Sequence, residues 1–199
     1  KNLSVLAAAV REAEADGAAT VIVVPQPTCA YVLKRDYADY VGGADAELVA
    51  DRTRDAAEFL IELRKGGHTG IDEEFPGEVP ATVTYHAPCH LRAQNIGLKS
   101  RDLIELTGAE VVVVAECSGI DGTWGLREEN VDMARRVARK MVSGIDKAGG
   151  DVVAGDCSLA NGAIALETGR VPMHPLQVLA RAYGISEEPG VGRLTPPSR

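Results

Sequence analysis

The sequence predicts an α/β fold whose mainly parallel sheet is covered by helices on both faces. Short β-branched runs alternate with longer amphipathic stretches, the spacing at which right-handed crossovers lay strands side by side. Glycine and proline punctuate nearly every change of pattern. The chain has 199 residues, 45% of them hydrophobic and 25% charged, so one large or two small soluble domains can bury a real core.

Leu3, Leu6 and Val10 recur at helical spacing, and Gly17 stops that helix. Thr20 to Val24 reads as a buried strand bounded by Pro25. A helical stretch begins at Tyr31 and gives way to a loop at Gly42-Gly43. From Asp45 to Lys65, Leu48, Val49, Ala56, Phe59, Leu60 and Leu63 describe one long amphipathic helix. Residues 66–80, with four Gly and two Pro, read as a linker. The alternation then resumes: strand Thr82–Tyr85, helix Leu98–Leu106, strand Val111–Ala115, helix Glu128–Asp146 and strand Asp151–Ala154. A helix Leu159–Glu167, a short strand Val171–Met173 and a helix Pro175–Tyr183 complete it, with a loose tail after residue 185.

The formal net charge of −8 argues against nucleic acid or an anionic membrane surface as a main partner. No apolar run approaches the roughly 18 residues of a membrane span. The chain opens at Lys1 inside a helical pattern, without an initiating Met or a signal peptide, and reads as part of a longer protein. Four widely separated cysteines fit a reducing, cytoplasmic setting better than a disulfide scaffold.

Those cysteines carry the chemistry. Cys29, Cys89, Cys117 and Cys157 each fall just beyond a predicted strand's C-terminal end, the edge at which open parallel sheets bind ligands. Strands lie roughly 4.8 Å apart, so thiols from four of them span about 14 Å. A single zinc ion, with Zn–S near about 2.3 Å, gathers such a set only if the loops fold inward. A multi-iron cluster held by Cys89, Cys117 and Cys157 suits the spread better. The opposing reading is that the thiols are buried small hydrophobes. No CxxC is present.

Tyr85-His86-Ala87-Pro88-Cys89-His90-Leu91, Glu116-Cys117-Ser118-Gly119 and Gly155-Asp156-Cys157 resemble successive pieces of a cysteine-rich CCG repeat. That repeat occurs in the heterodisulfide reductase B subunit, the glycolate oxidase iron–sulfur subunit and the anaerobic glycerol-3-phosphate dehydrogenase C subunit. His90 to Gly97 and Asp121 to Gly125 point most closely to the last type. Pro25-Gln26-Pro27-Thr28-Cys29 resembles the end of a preceding copy. The resemblance therefore implies the C-terminal part of a first repeat (1–65), a linker (66–80), a complete second repeat (81–185) and a loose tail (186–199). Ferredoxin-like modules would lie upstream in the same chain.

In the family's full pattern a lone cysteine, a Cys-Cys-Gly and a CxxC bind a 4Fe–4S cluster. Cys89 matches the lone cysteine, Cys117 the first of the pair and Cys157 the start of the last piece; Ser118 and Ala160 replace the other two. In the earlier copy Gln26 stands in the first position of CxxC and Cys29 in the second. Three possibilities follow: a cluster with a non-cysteine fourth ligand, a single metal ion such as zinc, or no metal.

His86 and His90 flank Cys89, and either could supply the missing ligand. A strand-end hydrogen bond to backbone is the favoured alternative for His86; His90 could instead be a donor to a sulfur. Asp121 and Asp156 could ligate iron, and Asp156 reads more readily as a helix cap. Trp124 reads as a core residue, Lys34-Arg35 and Arg135-Arg136 as solvated helix faces, and His68 and His174 as surface or turn residues.

The resemblance implies an iron–sulfur electron-transfer domain of a flavin-linked oxidoreductase complex. It would pass electrons from a flavin-containing dehydrogenase subunit toward a quinone or a thiol/disulfide acceptor, and could sit peripherally at the inner face of a membrane through its partners. A metal-free module that docks subunits is the alternative. A flavodoxin-like nucleotide or flavin binder fits the alternation but lacks a phosphate fingerprint.

Overall fold

The computed structural model of the protein describes residues 1–66 and 71–185. His68 and the tail from residue 186 lie outside the described residues. Two parallel sheets form the framework, one of two strands and one of three.

The first half opens with α1 (Asn2–Ala15), which buries Ala7 and Val10. β1 (Ile22–Val24) follows and pairs in parallel with β2 (Thr53–Asp55). β1 is half exposed rather than buried, because β2 is its one partner among the described residues; Val23 is 43% exposed. The next helix starts at Pro27, not at Tyr31: α2 (Pro27–Tyr31) uses proline's fixed φ at its first position. A π-helical turn (Val32–Asp36) and α3 (Tyr37–Tyr40) continue it.

The long helix expected over 45–65 is two helices with a strand between them. α4 (Ala44–Arg52) ends where Thr53 turns extended, and α5 (Ala56–Lys65) begins afresh after Asp55. The break is a capping box. The Asp55 carboxylate accepts the Ala57 N–H, and the Glu58 side chain accepts the Asp55 N–H. Glu58 also pairs with Lys34, which is therefore a half-buried ion-pair partner and not a solvated lysine.

In the second half, β3 (Thr82–His86) is central, with β4 (Glu110–Val114) and β5 (Val152–Gly155) on either side, all parallel. The crossover from β3 to β4 carries the short α6 (Cys89–Ala93) and α7 (Lys99–Glu105); that from β4 to β5 is α8 (Val131–Ala148). After β5 come α9 (Ser158–Thr168) and α10 (Pro175–Ala182). The expected strand at Val171–Met173 shrinks to a single bridge between Met173 and Ala154.

Side chains alternate across this sheet. Val83, Tyr85 and Ala154 face Leu91, Ile104 and Val178 on one side. Val114 and Val153 face Met141, Ile145 and Ile164 on the other. Helices thus cover both faces, completing the α/β architecture.

A third cluster joins the halves, packing Ala57 and Ile61 of α5 against Leu103 and Leu179. Residues 71–80 run along α10: the Gly77 and Glu78 amides donate to the Ala182 and Arg181 carbonyls. A Cβ at Gly77 would lie 2.1 Å from the Arg181 carbonyl oxygen, so only glycine permits that approach. Among the described residues no helix is long and apolar enough to cross a membrane.

Candidate metal centre

Every cysteine lies two to five residues beyond the C-terminal end of a strand. Cys89 opens α6 behind Pro88, and Cys157 is the N-cap residue of α9, so the amides of each helix's first turn lie beside its thiol. Cys117 sits in the loop after β4, where the Gly119 N–H donates to its sulfur at 3.4 Å. Gly119 has φ 75°, and a Cβ there would stand 2.2 Å from the Ala134 carbonyl oxygen. Glycine is what lets this loop press onto α8 and turn its amide back onto the sulfur.

Cys89, Cys117 and Cys157 line one cavity of about 360 Å³, together with Thr28, His86, His90 and the apolar Ile120, Trp124 and Leu159. Ser118 and Ala160 are also in its wall. Cys29 is not; it is exposed on α2, one residue beyond Thr28. Trp124 is a wall residue, 39% exposed, rather than a core residue, because the tight loop carries it outward over α8.

His90 is tied to the first half through a 3.2 Å contact between its Nδ1 and the Thr28 hydroxyl, and the Tyr31 ring packs against it at a tilt of 51°. Its Nδ1 also lies 3.9 Å from the Cys89 sulfur. His86 is buried, and its Nε2–H donates to the Glu116 carbonyl at 2.9 Å. That bond holds the backbone just ahead of Cys117. Burial lowers the His86 pKa, which favours the neutral ring and leaves Nδ1 a bare acceptor with no partner among the described residues.

Asp156, beside Cys157, is neither a cap nor exposed to the cavity. Its buried carboxylate accepts from the Tyr85 hydroxyl at 2.5 Å and from Ser100. Burial raises its pKa. Burial, and then the nearness of Asp156, pushes Asp55 up to about 6. Nothing local in the sequence marks this network, which pairs residues 56 and 71 positions apart.

His174 is not a bland turn residue. Its Nδ1 accepts the Leu176 N–H as the N-cap of α10, and its Nε2–H donates to the Pro25 carbonyl of the first half at 2.9 Å.

Among the described residues no three His, Cys, Asp or Glu side chains converge closely enough to hold one metal ion. The donor set still fits a larger group, since three thiols spread around one cavity match irons that each take their own sulfur. Residues 83–162, which include Cys89, Cys117 and Cys157, match the model of the CCG cysteine-rich domain.

Over 164 residues the chain is 28% identical to the C subunit of anaerobic glycerol-3-phosphate dehydrogenase from Escherichia coli, covering 81% of this chain and 40% of that protein. It is 30% identical over 134 residues to the B subunit of the fumarate reductase (CoM/CoB) from Methanothermobacter marburgensis, covering 65% of this chain and 24% of that protein. The chain thus spans less than half the length of the curated relatives it matches.

Proposed function

We propose that the chain is an iron–sulfur electron-transfer domain of an oxidoreductase complex. The observation that carries the reading is the meeting of Cys89, Cys117 and Cys157 at one cavity of a CCG domain. These three thiolates would hold the cluster. His90 would be the fourth donor through Nε2, since Nδ1 is engaged with Thr28. When bound, such a cluster supplies reversible one-electron transfer.

The chain's own groups tune that site. The Gly119 amide stabilises negative charge on the Cys117 sulfur. The Tyr85–Asp156–Ser100 network fixes the backbone that delivers Cys157. Ile120, Trp124 and Leu159 lower the dielectric around the thiolates.

The relatives are named as parts of larger assemblies, which supports a place in a multi-subunit dehydrogenase or reductase. On this reading a flavin-containing dehydrogenase subunit or domain gives the electrons, and a quinone or a thiol/disulfide compound takes them. Ferredoxin-like modules precede the domain in the same protein, which works in the cytoplasm, held at the inner membrane face through partners.

Metal analysis with EPR on anaerobically prepared protein tests the reading. We expect several irons per chain and a visible thiolate-to-iron absorbance, both lost when Cys89, Cys117 and Cys157 are changed to Ser. Folded, colourless, iron-free protein would overturn it in favour of a metal-free docking module.

A further inference from the structure

The cysteine cavity is lined in part by apolar side chains that stay in solvent, beside the exposed acids Glu116 and Asp121. Trp124, Val137 and Leu159 line it and are 39%, 40% and 37% exposed. Val137 belongs to a stripe along α8, in which Met133, Arg136, Val137 and Lys140 recur at i, i+3, i+4 and i+7. Lys147 extends the stripe by two further turns.

The charge of this helix is opposite to that of its chain. α8 holds five of the 21 basic residues and two of the 29 acidic ones, so it is net +3 while the remainder is net −11. Arg135 spends its charge on Glu167. Arg136, Lys140 and Lys147 are exposed and have no acid within ion-pair distance among the described residues. Unspent cations beside an apolar rim, at the opening that exposes Cys89 and Cys117, form a surface suited to brief, steered protein contact.

We propose that the α8 stripe and the Trp124–Val137–Leu159 rim together form the docking site for an electron-carrier protein with an acidic surface, which the basic stripe orients and whose redox group the apolar rim seats over the cysteine cavity. The inference rests on the electron-transfer reading above. A small apolar centre with a charged flank gives fast association and fast release, the behaviour of weak redox encounters. The acidic remainder of the chain repels the same partner, so only this face is productive.

The test titrates an acidic [2Fe–2S] ferredoxin into the ¹⁵N-labelled protein and follows amide shifts, with iron-loaded and iron-free samples run in parallel. The expected result is shifts confined to α8, the Trp124 loop and the start of α9 around Leu159, and binding that weakens about tenfold from low to physiological salt. Reversing Arg136, Lys140 and Lys147 to Glu should weaken it at least as much, and Arg136→Gln with Lys140→Gln by a smaller factor. Trp124→Ala should weaken binding without changing its salt dependence. Unaltered binding by the reversed variant overturns the proposal. So does a preference for anionic phospholipid vesicles over the ferredoxin. Because the iron-free sample also reports docking, a protein that binds no iron but binds ferredoxin refutes the metal centre and not the surface.

Discussion

The side-chain oxygen of Gln26 accepts the amide N–H of Ser158 at 3.2 Å, across 132 residues of chain. Gln26 is the N-cap residue of α2, and Cys157 is the N-cap residue of α9. A glutamine of the first half thus caps the helix that Cys157 opens in the second. Gln26→Ala should cost about 1 kcal/mol of stability in urea melts, as other cap losses do. If it also seats Cys157, iron-loaded protein should lose metal to a chelator several-fold faster.

Ser118 and Ala160 stand in the wall of the cavity that Cys117 and Cys157 line, where the resemblance read from the sequence implies two further cysteines. Ser118→Cys with Ala160→Cys should therefore raise the iron bound per chain and change the EPR line shape. Both side chains grow by little, so melting curves should stay within a few degrees of the parent. Unchanged iron content would show that the present three thiols already saturate the site.

Much of this was legible because each signal was local. The strands at 82–86, 110–114 and 152–155 announce themselves as β-branched runs, and each cysteine follows a strand within five residues. β2 stayed hidden because Thr53-Arg54-Asp55 offers one β-branched residue between two helical patterns. The Asp55-x-x-Glu58 capping box was the signal that could have exposed it. The bonds that join the halves, Gln26 to Ser158 and His174 to Pro25, depend on how distant segments meet, and no periodicity encodes them. The same holds for Trp124, whose exposure follows from a loop turned outward at Gly119 and Asp121, both at positive φ.

Tyr85 is fully buried, and its hydroxyl gives Asp156 one of two side-chain hydrogen bonds. Tyr85→Phe removes the donor and leaves a buried carboxylate short of a partner, which costs about 1–3 kcal/mol. Asp156 is next to Cys157, so the loss should also show as a shifted reduction potential of the bound cluster. A variant that loses stability but keeps the potential would mean that the network braces the core alone.

Asp55 joins the fold to pH. Its side chain is buried, one oxygen accepts the Ala57 N–H, and the other has no partner among the described residues. Burial and Asp156 raise its pKa to about 6 from the ordinary 3.8, against the opposing pull of the Ala57 and Glu58 amides and of Lys34. Between those two values the folded protein keeps a proton that the unfolded chain has released. Stability from this group is therefore full below about pH 4 and is lost as pH rises through 6. Two pH units correspond to about 3 kcal/mol. Asp55→Asn keeps the cap acceptor but carries no charge, so it should flatten that part of the decline and exceed the parent by about 2–3 kcal/mol at pH 8, with little difference at pH 4. Urea midpoints across pH 4–8 measure both curves. Parallel curves would mean that Asp55 is ionised in the folded protein throughout, and the buried pair would need a cation beyond Lys34 to hold it.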